Sequence, residues 1–288
     1  MILPLTWTTA TFDVLARRWE SPRLQRAAGT VIILTYLASL AAIEGQRQGW
    51  WPAWTRDTIP VNHFYAVDVA FTLLLLVEVV GLVFGLAKSV ARSLGIQCEI
   101  FSLILLRQTF KEFTRFEEPI RWEDVSGSIL HMGSDVVGAV GIFALLVLYY
   151  RVQRHQPITH RDEQQHFVAA KKAIALLLLV IFLAIGIDDA WRWLGDGEVF
   201  PFFEVFYTVL IFSDVLIVLI SLRYASTYRV VFRNSGFAVT TVILRVALTA
   251  PPVANAALGL AAVLVACVLT MAYNAFDEPH DVPAGHAT

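Results

Sequence analysis

The chain has 288 residues, 57% of them hydrophobic and 16% charged, with a net charge of −2 and a mean hydropathy of +0.63. Soluble domains are nearer half apolar and about a quarter charged. Here the apolar residues also fall in long runs, which excludes a soluble domain with a large core and indicates an integral membrane protein. The net charge says nothing about partners, because charge in such a chain is distributed by side of the membrane. Both cysteines, Cys98 and Cys267, lie in apolar runs, which argues against a disulfide framework and for two packed small hydrophobes.

Residues 1–26 do not begin with basic residues; Arg17, Arg18, Arg23 and Arg26 follow the weakly apolar start instead, unlike a signal peptide. Phe12, Leu15, Ala16 and Trp19 are spaced for one helical face. An amphipathic helix on the inner membrane surface fits this segment, as does a frayed leader. The first expected span runs from Ala27 to Ile43 and ends at Glu44, and the second from Phe64 to Ala87. A third runs from Leu94 to Phe110 with Arg107 among leucines, and a fourth from Ile129 to Tyr150 with Asp135 near its entrance. The linker 151–172 is basic and holds Arg151, Arg154, Arg161, Lys171 and Lys172, a set suited to anionic lipid head groups. The fifth span, Ala173 to Ile187, ends at Asp188 and Asp189. The sixth runs from Phe200 to Arg223, the seventh from Gly236 to Thr249 with Arg245, and the eighth from Val253 to Tyr273. Pro251-Pro252 makes the turn between the last two. The tail 274–288 is polar and acidic, the composition of a disordered segment.

Eight spans with both ends cytoplasmic place 14 of the 22 Lys and Arg residues in inside segments and 6 in outside loops. That asymmetry satisfies the positive-inside rule, and Trp50, Trp51, Trp54, Trp122, Trp191 and Trp193 all fall on the outer side.

The second span has a second copy. A shift of 136 positions brings Phe64 onto Phe200, Asp68 onto Glu204, Thr72 onto Thr208 and Glu78 onto Asp214. Ile43-Glu44 likewise matches Ile187-Asp188, and Leu106-Arg107 matches Leu244-Arg245. Each half therefore reads acid, acid, acid, arginine: Glu44, Asp68, Glu78, Arg107, then Asp188, Glu204, Asp214, Arg245. Four spans separate the copies, so both have the same orientation, unlike the inverted repeats of many transporters. The fold expected is all-α integral membrane, with eight transmembrane helices as two parallel-repeat four-helix bundles. The first bundle covers 27–150 and the second 173–273.

Ionisable groups inside a membrane are costly and carry a partner or a task. Arginine stays charged and pairs with carboxylates, so Arg107 is expected to meet Glu78 or Asp68, and Arg245 to meet Asp214 or Glu204. In one reading these pairs fix helix register. In the other, the surplus acids bind a proton or cation and line a path. Voltage sensing is disfavoured by the single arginine per half. His63, His131, His155, His160, His166, His280 and His286 avoid the middle of the spans, which disfavours paired haem ligands. No zinc-type spacing, phosphate-binding glycine loop or nucleophile elbow is present. No enzyme activity, cofactor or metal is expected, and nucleic acid is not an expected partner.

The second half resembles the PsiE-like family, the phosphate-starvation-inducible E membrane proteins of bacteria. The pattern is a first helix ending in Asp188, then a helix opening with Glu204 and carrying Asp214, then Arg245 behind Gly236, Thr240 and Thr241, then the Pro251-Pro252 turn. The resemblance covers 170–273 well. It covers 27–150 less well, since the Glu112–Ser134 connection is longer and the family usually forms single four-helix units. It implies a bacterial inner-membrane protein linked to phosphate limitation or stress. The expected role is a non-enzymatic sensor, regulator or assembly subunit, alone or as a homo-oligomer, with a proton or cation channel or transporter as the alternative.

Overall fold

In the computed structural model, residues 3–52, 59–88, 90–116, 118, 120–153, 161–195, 202–224 and 228–276 are described. They are helical almost throughout, and no strand occurs among them. The helices are α1 Leu3–Trp19, α2 Pro22–Arg47, α3 Phe64–Leu86, α4 Val90–Lys111, α5 Trp122–Val152, α6 Arg161–Gly195, α7 Phe202–Tyr224, α8 Tyr228–Thr249 and α9 Pro252–Ala275. A short 3-10 turn, Glu112–Arg115, extends α4. Arg154, His155, His160, Trp54, His280, His286 and the tail beyond Phe276 lie outside the described residues.

Local chemistry sets several boundaries. Ser21 caps α2, with Pro22 at the first helical position, where its missing N–H costs nothing. Gly49 ends α2 at φ +73°, a left-handed conformation that glycine adopts without a Cβ clash. Pro251 caps α9, and Pro252 opens it. α6 is longer than the expected fifth span at both ends, because Phe167 and Ala169 extend its buried face back into the basic linker.

Seven of the helices are long and apolar enough to cross a membrane: α2, α3 and α5 to α9. α4 has the length, about 33 Å at ~1.5 Å per residue, but carries Arg92, Glu99, Arg107 and Lys111. Its start lies against the end of α5, where Tyr149 donates to the Ala91 carbonyl at 2.7 Å. Just past its end, Phe113 and Phe116 pack on Phe64 at the start of α3. α4 therefore runs antiparallel to both neighbours through the full height of the bundle. Ten of its residues are buried, which is how so polar a helix is accommodated.

The two ends of the bundle differ. Trp50, Trp51, Trp122 and Trp191 are exposed at one, the tryptophan end. Lys88, Arg92, Arg151, Arg229 and Arg233 mark the other, the basic end. α1 lies at the basic end. Its expected face is only partly used: Phe12 and Trp19 pack on Phe84 of α3, while Leu15 stays exposed. Lys172 of α6 pairs with Asp13 at 2.7 Å and Lys88 with Glu20 at 3.2 Å, so α1 is fastened to the bundle by charge as well as by apolar contact.

The helices group across the two halves of the chain rather than by them. One core joins α4 and α5 to α8 and α9, with Phe101, Ile142, Phe237 and Val263 at its centre. The other joins α1 and α3 to α6 and α7, around Val83, Leu178, Phe206 and Leu210. α5 packs most extensively on α9. That seam is close because small residues line it: a Cβ at Gly138 would lie 2.7 Å from the Ala256 Cβ and 3.2 Å from its Cα. Gly138→Val should therefore destabilise the fold by about 1–3 kcal/mol. The effect would be read as a lower melting midpoint in detergent. Gly133→Val is the control, because nothing lies within 4 Å of a Cβ there; it should leave the midpoint unchanged. α2 packs against α3 and leaves Val31, Ile33, Leu34 and Leu37 exposed, a surface suited to lipid.

Candidate functional site

Each intramembrane arginine takes the acid of the preceding helix that lies deeper in the bundle. Arg107 of α4 pairs with Glu78 of α3, with side chains 16% and 10% exposed. Arg245 of α8 has its Nε 3.7 Å from Asp214 Oδ2 of α7, with side chains 2% and 5% exposed. Arg245 also donates to Gln97 Oε1 of α4 at 2.9 Å, joining the second half of the chain to the first within one core. A second amide pair crosses nearby, Asn255 of α9 donating to Gln108 of α4 at 2.7 Å. Desolvating both charges costs several kcal/mol per ion, so such a pair adds little net stability, while a lone survivor is strongly destabilising.

The acids left over divide into two kinds. Glu44 and Asp188, the helix-end acids, are engaged locally. Asp188 pairs with Arg192 one turn on at 2.9 Å. Glu44 faces His63 Nε2 at 3.2 Å and accepts from Gln48. His63 also contacts Glu118, 3.1 Å from Nδ1, and its backbone N–H donates to the same carboxylate at 2.9 Å. Arg47 reaches Glu118 at 2.8 Å. The hydrogen bond from His63, with Arg47 beside it, holds the Glu118 carboxyl below the usual carboxylate range. This network ties α2, the start of α3 and the α4–α5 connection together at the tryptophan end.

Asp68 and Glu204 instead line a cleft of about 840 Å³ between α3, α4, α6, α7 and the end of α8. Asp189, Arg107, Gln108 and Lys111 share its wall, and Phe71, Phe182, Phe202, Phe203 and Tyr207 supply aromatic surface. The start of α3, the end of α4, the end of α6 and the start of α7 all lie at the tryptophan end, so the charged rim lies there. The two acids that the sequence aligned, one from each half, thus meet at one cavity.

Beneath the cleft the polar groups continue. Tyr207, 7% exposed, lines it and acts electrostatically on Arg245. On the far side of the Arg245–Asp214 pair lies a small cavity of about 30 Å³. Asp214, Gln97, Ser93, Thr241, Ser221, Asn234 and Lys171 line it. That is room for roughly one water, with the polar partners a water needs.

The lipid-facing set expected in the basic linker changes. Lys171 is 3% exposed; its ammonium donates to the Lys88 carbonyl and sits over the Phe167 ring, so it is not available to a head group. The cause is the helical continuation of α6, which turns this position inward. Lys172 is engaged by Asp13. Arg151 stays exposed at the end of α5. Among the described residues, no group of three or more His, Cys, Asp or Glu is arranged to hold a metal ion. Cys98 and Cys267 are both buried as free thiols.

Gln97, Gln108 and Asn255 were not singled out from the sequence. An uncharged amide in an apolar run is the signal that could have found them, since such groups hydrogen-bond between helices. In the sequence Asp189 reads as a helix-end charge and Lys111 as a cation of an outside loop, and only the three-dimensional arrangement brings them to the cleft. Comparison with protein-family models, with characterised proteins and with solved structures returns no match for this chain.

Proposed function

We propose that this is an eight-span bacterial inner-membrane protein, built as two copies in the same orientation, that admits a small cation from its tryptophan end. The single observation that carries this reading is the acid-lined cleft, beneath which lie the buried Arg245–Asp214 pair and a small cavity that Asp214 lines. Asp68, Asp189 and Glu204 outnumber Lys111, because Arg107 is matched by Glu78. A cation is therefore favoured at the rim. In this conformation the buried pair and Tyr207 close the route. The basic end faces the cytoplasm by the positive-inside rule, and the resemblance of the second half to PsiE-like proteins supports a bacterial inner membrane. Non-enzymatic action is part of the same proposal.

The test is flux in proteoliposomes containing the full chain, with internal pH dye for protons and sodium- or potassium-sensitive dyes for the metal cations. Asp68→Asn together with Glu204→Gln should reduce flux at least tenfold while the protein stays folded. These acids are better targets than Glu78 and Asp214, which are held by arginines. Absent wild-type flux, or flux unchanged in the double variant, overturns the conduit.

A second reading is favoured by the cross-linking of the two halves of the chain through Gln97–Arg245 and Gln108–Asn255. In it the buried polar groups only fix the helix arrangement, and the protein is a sensor, regulator or subunit of a membrane assembly. Absent flux with intact folding supports that reading.

A further inference from the structure

Asp135 of α5 is 1% exposed, and neither of its carboxylate oxygens has a hydrogen-bond partner. It lies one turn from Gly138, whose backbone is packed against Leu105 of α4 and Ala256 of α9. Another acid, Glu112 of the 3-10 turn, adds its negative charge to the surroundings of Asp135. Glu112 is 7% exposed and has Arg115 at 3.2 Å and the His131 ring at 3.9 Å. Arg115 thus offsets Glu112, whereas among the described residues no side chain hydrogen-bonds Asp135. α9, which also packs on α5, contains no acidic or basic side chain between Pro252 and Ala275. Thr109 of α4, one turn before Glu112, has a buried hydroxyl without a hydrogen-bond partner, and His131 Nδ1, one turn before Asp135, makes no hydrogen bond and faces Glu112 Oε2 at 3.9 Å. An isolated ionised carboxylate in such surroundings is prohibitively costly. A bound positive charge removes that cost.

We propose that Asp135, with Glu112 near it and His131 one turn before it on α5, forms a binding site for one monovalent cation, a proton or a sodium ion. The ligand chemistry is hard oxygen on one buried carboxylate, and two acids are too few for a dedicated divalent site. The site lies beside α4 and the 3-10 turn, outside the residues lining the acid-lined cleft, and it does not depend on the conduit reading.

A ligand that binds only the folded state raises its stability with concentration. The full-length protein in detergent would be melted across a pH series in choline chloride, and across a sodium chloride series at fixed pH and fixed total ionic strength. The melting midpoint of the wild type should rise as pH falls, if the proton is the ligand, or as sodium rises, if sodium is. Asp135→Asn should flatten that response, since its amide is neutral and supplies its own donor to Glu112. Glu112→Gln is the second variant and should weaken the response without abolishing it. Infrared difference spectra give a second readout: the wild type should show a carboxyl band that responds to the same titration and is missing in D135N. A wild type insensitive to both pH and sodium overturns the site, as does a response that persists in D135N.

Discussion

Replacing Arg245 with methionine should cost about 3–5 kcal/mol, the range for breaking a buried ion pair by removing one partner. The size follows from what is left behind. Asp214, its side chain 5% exposed, would lose the cation at 3.7 Å that offsets its charge. Gln97 would lose the donor at 2.9 Å that joins α4 to α8. The adjoining cavity, about 30 Å³, has room for roughly one water, too little to hydrate a bare carboxylate as bulk solvent would. Removing both charges should behave differently. Arg245→Met with Asp214→Leu replaces the pair by apolar groups, which is often neutral or stabilising. The double variant should therefore unfold in denaturant within about 1 kcal/mol of the wild type. As the proposed closed point of the conduit, the missing pair should also raise resting proton leak in proteoliposomes. A single variant as stable as the double would show that Asp214 is compensated from elsewhere.

Helix content and nearly every helix position were legible from apolar run length alone, because a membrane span must satisfy its backbone internally. The pairing of Arg107 and Arg245 was legible as a choice between two acids each, and helix geometry decided both choices for the deeper one. The fates of Glu44 and Asp188 were not. Their matched positions suggested a common task, but Glu44 meets His63 at the start of the next helix, while Asp188 meets Arg192 on its own helix. Nothing in a one-dimensional pattern distinguishes those outcomes. The inward turn of Lys171 was missed because a basic run between two spans resembles a surface loop until α6 is known to begin at Arg161.

The grouping of helices across the halves has a similar origin. In lipid no hydrophobic force selects one apolar face over another, so packing follows small residues and interhelical hydrogen bonds. Gly138 against Ala256, and Gly259 against Phe101, draw α9 onto α5 and α4. Gln97–Arg245 and Gln108–Asn255 add polar ties from α4 to α8 and α9 within that group. Periodicity marks which face of a helix is small or polar, but the partner of that face is a long-range property. This arrangement also explains why an acid from each half reaches one cleft: α3 and α7 both pack around α6, which brings Asp68 and Glu204 to the same end of the same cavity.

The Glu78–Arg107 pair should respond to the same surgery with a smaller loss and a functional signature. Glu78→Gln leaves Arg107 charged, but Arg107 lines the cleft and its side chain is 16% exposed, so it is partly hydrated when its partner is removed. The cost should fall between the surface and buried limits, about 2 kcal/mol. Arg107→Glu alone should cost more, because it sets two carboxylates against each other where an ion pair stood. Combining it with Glu78→Arg restores opposite charges on the same two helices and should recover most of the stability, giving a coupling energy in the cycle of roughly 2–3 kcal/mol. Denaturant unfolding of the four proteins measures this directly, and a charge-swapped protein no more stable than Arg107→Glu would mean that the pair is not the dominant interaction at either site. The functional consequence separates the two readings of the molecule. Glu78→Gln leaves the guanidinium unmatched beside Asp68 and Glu204, so it moves the cleft by one positive charge without touching the rim acids. A cation conduit should lose flux by that change although the protein remains folded, whereas a purely structural pair should register only in the unfolding curve.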